Sequence, residues 1–238
     1  MQHLARLVCN QIESFAVKSN EGASLYASAL ASPPKCETLV GTASLELAPQ
    51  PLHEVIRQFA LRAGAVGFNR VKILPLFLLP GVHVMEDIPA EVAQAEQTLN
   101  KSIQIDLQPH LGSHPGLQSL LANQMADINA AAWVVLSHGS RRPGSQQPVE
   151  ALAASLGAVA AYWAVAPSLE VRVQELIAAG YKSVGIIPYF LFVGGITDAI
   201  ARRVEQLKLQ SPDISFSMAQ PIGASADLAN IIWDLIRE

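Results

Sequence analysis

Cysteine is almost absent from the 238-residue chain: Cys9 and Cys36 are the only two. They form no CxxC pair, no zinc spacing and no disulfide framework, which suits two inert thiols in a reducing cytoplasm. Charge is sparse too, at 15% of residues, and aromatic residues reach 6%. The net charge of −4 comes without a basic block, so the electrostatic footprint of a nucleic-acid-binding protein is missing. The most apolar run, LAASLGAVAAYWAVAP, is too short for a bilayer and ends at Pro167. MQHLARLVCNQIESF, at the N-terminus, reads as an amphipathic helix and lacks the layout of a signal peptide, so a membrane partner is not expected. No dinucleotide fingerprint, P-loop or EF-hand pattern occurs, which argues against nucleotide and calcium.

What is present is a hydrophobic half, with a positive mean hydropathy, enough to bury a substantial core. Apolar runs of strand length alternate with helix-period segments, the pattern of an α/β protein whose parallel strands are buried on both faces. Strands are expected over 38–47, 70–77, 102–107, 132–137, 158–165, 183–190 and 213–218. Helices are expected over 3–17, 50–65, 85–100, 114–124, 146–156, 168–179, 196–209 and 224–236. The Ser/Ala/Pro-rich stretch from Lys18 to Glu37 reads as a mobile loop.

The chain also repeats itself. GFNRVKILPLFLLPG (67–81) laid over GYKSVGIIPYFLFVG (180–194) agrees at seven of fifteen positions without a gap, and LGSHPGLQSLL (111–121) lies over IGASADLANII (222–232). Two copies of one βα module follow, residues 1–126 and 127–238, joined near Met125 to Ala131. The second copy opens with a strand and a polar turn, INAAAWVVLSHGSRRPG, before its first helix; the first opens already inside the equivalent helix. About 18 residues of the second copy therefore lack a counterpart before Met1. Either the first module does without them, or the native start lies upstream.

Ligands of an open parallel sheet sit at the carboxyl ends of its strands. VVLSHGSRRPG (134–144) places His138 there, as a functional imidazole or as a loop donor to a backbone carbonyl. Ser140 has no G-x-S-x-G flanks, so a hydrolase built on it lacks a readable triad. Arg141 and Arg142 are either solvated surface or holders of carboxylates. In the first copy His83 occupies the same geography, past the turn Pro80-Gly81, where the second copy has Ile196. Glu86 and Asp87 read as first-turn carboxylates at the positive end of a helix dipole. Glu46 ends the strand TLVGTASLEL, and the second copy has Ala164 there. A carboxylate beside a neighbouring strand's terminal histidine makes an N/O site for a divalent first-row metal, or simply a solvent-facing strand end. His53-Glu54 lacks the second histidine of a zinc-protease motif, and the spacing of His110 and His114 is broken by Gly112 and Pro115.

HGSRRPG, SLELAPQPLHE and above all ILPLFLLPGVHVMEDIP resemble the class II tetrapyrrole chelatases that insert cobalt or iron into sirohydrochlorin, in their long form of two fused modules. The resemblance covers nearly the whole chain. It implies two tandem flavodoxin-like modules, each a parallel sheet flanked by helices, facing across a central cleft. It implies a lyase-type chelatase of cobalamin or sirohaem synthesis, with Co²⁺ or Fe²⁺ as substrate beside sirohydrochlorin and no organic cofactor. His83 matches the family's second metal-binding histidine and Glu46 its active-site glutamate, while the first histidine, in the HGSR turn of copy one, would precede Met1. His138 has that turn in copy two, which carries neither Glu46 nor His83, so each copy holds a partial set. As a substrate with eight carboxylates, sirohydrochlorin gives Ser140, Arg141 and Arg142 binding roles. A monomer or weak dimer is expected from the internal duplication. The alternative is a catalytically silent metal- or tetrapyrrole-binding homologue.

Overall fold

A computed structural model describes residues 2–21, 39–46, 48–99 and 103–237. The chain divides into two compact units, one of residues 1–75, 82–111 and 224–238, the other of residues 76–81 and 112–223.

The second unit holds a four-stranded parallel sheet. In chain order it runs α4 (Gly116–Ala126), β3 (Ala132–Ser137), α5 (Gln147–Ser155), β4 (Val159–Tyr162), α6 (Leu169–Ala178), β5 (Ser183–Pro188), α7 (Gly195–Gln210) and β6 (Ser215–Met218), with strand order β4-β3-β5-β6. The connections leave β3 and β5 in opposite directions, so the crevice at their carboxyl ends is the switch point where such sheets take ligands. All six side chains of AWVVLS in β3 are buried, as a central parallel strand requires. One layer of the core packs Val134, Leu136, Val184 and Ile186 of the sheet against Val173, Ile200, Val204 and Leu207 of the helices. Each such side chain contributes about 1.5–3 kcal/mol on burial. Gly185 in β5 is a packing requirement, because a Cβ there would lie 2.5 Å from the Trp133 ring.

The first unit builds on α1 (Gln2–Glu21), α2 (Leu52–Ala65), β1 (Arg70–Ile73), a π-turn (His83–Asp87), α3 (Ile88–Thr98) and β2 (Gln104–Leu107), with β1 and β2 parallel and in register from Arg70↔Gln104 to Ile73↔Leu107. Its last helix is α8 (Ala226–Arg237), which packs on α1 and accepts from Lys72 Nζ at the carbonyl of Ile236. Each unit thus takes its closing helix from the other sequence repeat: α4 packs on β5, α8 on α1. An amphipathic helix carries its stripe to whichever sheet face lacks cover, whatever its place in the chain.

Three expectations are corrected. The strand over 38–47 does not form, since the described residues 39–46 carry no ladder. Its counterpart β4 draws all its pairing from β3, and no described segment of the first unit stands where β3 stands in the second. Without that neighbour, about 4.8 Å away, the backbone of 39–46 has nothing to bond to laterally. Gly41 instead lies against α2, where a Cβ would meet the Phe59 ring at 2.7 Å. The helix expected over 85–100 starts earlier and in π form. The loop expected over 18–37 is helical as far as Glu21, and its remainder lies outside the described residues. The strand expected over 132–137 forms as expected; the remaining ones form but are shorter, because the ladders end where their neighbours end. Among the described residues no helix is long and apolar enough to cross a membrane.

Candidate metal site

β1 delivers the chain through Pro75 to Gly81, and the π-turn begins at His83. A π-turn is a helix with one residue more than the α geometry accommodates, and it recurs at functional sites. The surplus residue shows on comparison of the two repeats. Gly81 overlays Gly194, 113 positions on, but the buried stripe Ile88, Val92 and Ala95 of α3 matches Ile200, Val204 and Leu207 of α7 at a spacing of 112. The first repeat has taken in one residue between those points, and the π-turn absorbs it.

That turn brings the His83 ring over Asp87, with Nδ1 2.7 Å from Oδ2. A carboxylate at this distance accepts from Nδ1–H and turns Nε2 to the side of Glu46. Glu46 Oε1 lies 3.8 Å from Nε2, too long for a hydrogen bond. Two metal–ligand bonds of about 2.1 Å would bridge that gap with a bent N–metal–O angle of roughly 130°. Ser44 Oγ donates to the carbonyl of Glu46 at 2.7 Å and so shapes the loop that carries the carboxylate. The side chains of His83 and Glu46 are 44% and 70% exposed, so an ion pair between them adds at most about 1 kcal/mol to stability. Folding does not depend on this arrangement, which leaves it available for a ligand.

The structure therefore brings together His83 and Glu46, and it changes the reading of Asp87. Expected as a carboxylate serving only the helix dipole, Asp87 is the partner of the histidine. The signal was the i, i+4 spacing of His83 and Asp87, legible once a helix is assumed to begin at the histidine. Among the described residues no group of three or more His, Cys, Asp and Glu side chains is arranged to hold a metal ion, and His83 and Glu46 are the two candidate donors brought within 3.8 Å.

His138, Ser140, Arg141 and Arg142 lie in the second unit, in the exposed turn after β3. Gly139 makes that turn possible with φ +78, and a Cβ there would press on Val165 and Tyr162 at 2.7 and 2.8 Å. The carbonyl of His138 accepts from the N–H of Ala164 at 2.9 Å, and Ser140 Oγ accepts from the N–H of Arg142 at 3.2 Å. His114 and His110 do ordinary work: His114 Nδ1 accepts from the N–H of Gly116 at 3.0 Å at the start of α4, and burial pulls the His110 imidazole below its ordinary value. An open groove of about 710 Å³ along β6, with Asp127, Asp198 and Lys208 in its lining, contains none of the residues singled out from the sequence.

The CbiX family model matches residues 18–128 and again 132–238. A sirohydrochlorin cobaltochelatase of Priestia megaterium is 25% identical over 190 residues, 73% of this chain and 62% of that protein. A sirohydrochlorin ferrochelatase of Bacillus subtilis is 26% identical over 184 residues, 72% of this chain and 69% of that one. The chain thus spans less than two thirds of the cobaltochelatase's length. Among solved structures, SirB from Bacillus subtilis with Fe³⁺ superposes with a TM-score of 0.66 at 24% identity, covering 82% of this chain and 79% of that one. The sirohydrochlorin chelatase SirB of Bacillus subtilis subspecies spizizenii in complex with cobalt gives 0.63 at 25% identity, with 82% and 77% covered.

Proposed function

We propose, since this chain belongs to the CbiX family, that it is a sirohydrochlorin chelatase inserting Co²⁺ or Fe²⁺ into the tetrapyrrole for cobalamin or sirohaem synthesis. The observation that carries this reading is the 3.8 Å gap between His83 Nε2 and Glu46 Oε1, with Asp87 behind the imidazole. Insertion exchanges two pyrrole protons for a divalent cation, so the protein must present the cation loosely and collect protons. His83, oriented by Asp87, is a ligand that releases its metal. Glu46, on an exposed loop, serves as second ligand and as base. Residues 1–126 and 127–238 are two copies of one module, a division supported by the two matches of the family model. In the second module His138 is a metal-ligating histidine, and Ser140, Arg141 and Arg142 take the carboxylates of the macrocycle. The metal is substrate rather than resident cofactor, no organic cofactor is needed, and the protein works in the cytoplasm as a monomer or weak dimer.

The test follows the absorbance change of sirohydrochlorin under anaerobic conditions with Co²⁺ or Fe²⁺. The full chain should turn over, and the His83→Ala variant should keep its circular dichroism while losing insertion. Near-normal activity of that variant would sink the assignment. A second reading, a silent metal- or tetrapyrrole-binding homologue, is favoured by the absence of a three-residue metal cluster among the described residues. Binding of Co²⁺ without turnover would select it.

A further inference from the structure

His53 and Glu91 have no part in the chemistry above, yet they form a close polar link between α2 and α3. Glu91 Oε2 accepts from the main-chain N–H of His53 at 2.6 Å and lies 2.9 Å from its ring Nδ1. That N–H belongs to the first turn of α2, where no acceptor exists within the helix, and the preceding Pro51 offers no side-chain cap. Glu91 therefore caps α2 from the neighbouring helix. It stands at i+8 from His83 and i+4 from Asp87, on the helix that carries both, whereas His53 stands seven residues beyond Glu46. The contact is thus a tie point between the chain that brings Glu46 and the helix that brings His83. A shift there of a fraction of an ångström is passed to the 3.8 Å gap between the two donors.

The second unit has the same tie with other chemistry. Glu170, second residue of α6, pairs with Arg203 of α7. His53 is likewise the second residue of α2, and Glu91 overlays Arg203 at the spacing of the buried stripe. There the tied loop carries Ala164 in place of Glu46, so no donor depends on it.

We propose that Glu91, acting through His53, is a positioning residue that sets the separation of His83 and Glu46 and thereby the affinity for the divalent cation. This rests on the reading that those two side chains hold the metal. The experiment titrates Co²⁺ into the full chain, into the millimolar range for weak variants, and follows the visible bands of the bound ion. Glu91→Gln should weaken binding about tenfold and alter the bands, with Glu91→Asp partly restoring both. In a Glu46→Ala background the same Glu91→Gln change should alter affinity less than about twofold, because its effect is exerted through Glu46. Arg203→Met, which breaks the corresponding tie, should leave Co²⁺ affinity unchanged. An equal loss in both backgrounds, no loss at all, or a matching loss from Arg203→Met would overturn the proposal. Equal Co²⁺ binding by the wild type and His83→Ala would overturn the metal site itself, and is read without any Glu91 variant.

Discussion

The two repeats put different chemistry on one scaffold. After β5 the chain enters α7 through Gly194, whose N–H donates to Thr197 Oγ1 at 2.8 Å while the hydroxyl donates back to the Gly194 carbonyl. The helix is regular, and Ile196 sits where the other repeat has its histidine. After β1 the chain enters α3 through a π-turn with one residue more, and the surplus lets His83 reach Asp87. Both helices bury the same apolar stripe, so neither packing nor capping requires the π-turn. What the second repeat folds well without is, in the first, available for function.

The largest effect should come from making the first repeat like the second. His83→Ile should reduce metal insertion about 100-fold or more in the sirohydrochlorin absorbance assay. Ile196→His should add no Co²⁺ affinity in a titration, since Ala164 offers no carboxylate. Deleting Met85, 61% exposed, should restore the register of α7 by removing the surplus residue. Co²⁺ affinity should then drop roughly tenfold with the His83–Asp87 bond, while circular dichroism still reports a folded chain. A deletion mutant with wild-type affinity would show that the π-turn is incidental.

Smaller effects come from contacts that differ between the repeats away from the two donors. Burial pushes the Glu91 carboxyl up, but hydrogen bonds from the main chain and ring of His53 outweigh it and hold the group below its ordinary value. A carboxylate with a lowered folded pKa adds stability that is present above its unfolded value and is lost as pH falls through the folded one. Urea denaturation should therefore show Glu91→Gln less stable than wild type by about 1 kcal/mol at pH 7. The gap should close as the solution is acidified below the ordinary carboxylate range. A gap that stays constant down to strong acid would mean that the lost contact is not ionic. The smallest difference concerns Tyr189, which stands where the first repeat has Leu76. Burial pushes its phenol up to about 12, and its hydroxyl donates to the carbonyl of Leu78 at 3.4 Å. Tyr189→Phe should cost about 0.5–1 kcal/mol in the same denaturation series and leave insertion untouched.

Much of this was legible in advance because its causes are local or periodic. Continuous apolar runs such as AWVVLS and SVGIIP can only be strands buried on both faces, and they are. The nearness of His83 and Glu46 was legible because each is expected at the end of an apolar run, and the second repeat, with Ile196 and Ala164 there, folds without them. The segment 39–46 was misread because strand propensity says nothing about whether a neighbour is present to complete the ladder. Asp87 was undervalued because its role depends on a helix that starts two residues before the expected boundary. His53 was dismissed as half of a zinc motif, since its partner Glu91 lies 38 residues away on another helix.

The sequence by itself determined the α/β class, the duplication and the asymmetry of the two strand-end loops, because periodicity, apolar run length and residue identity are written along one dimension. Tertiary structure alone decided which closing helix each unit takes, that one surplus residue winds into a π-turn, and that Glu46 stands 3.8 Å from His83. Those outcomes depend on which unsatisfied face or donor lies nearest in space, and residues far apart in the chain share no local signal of it.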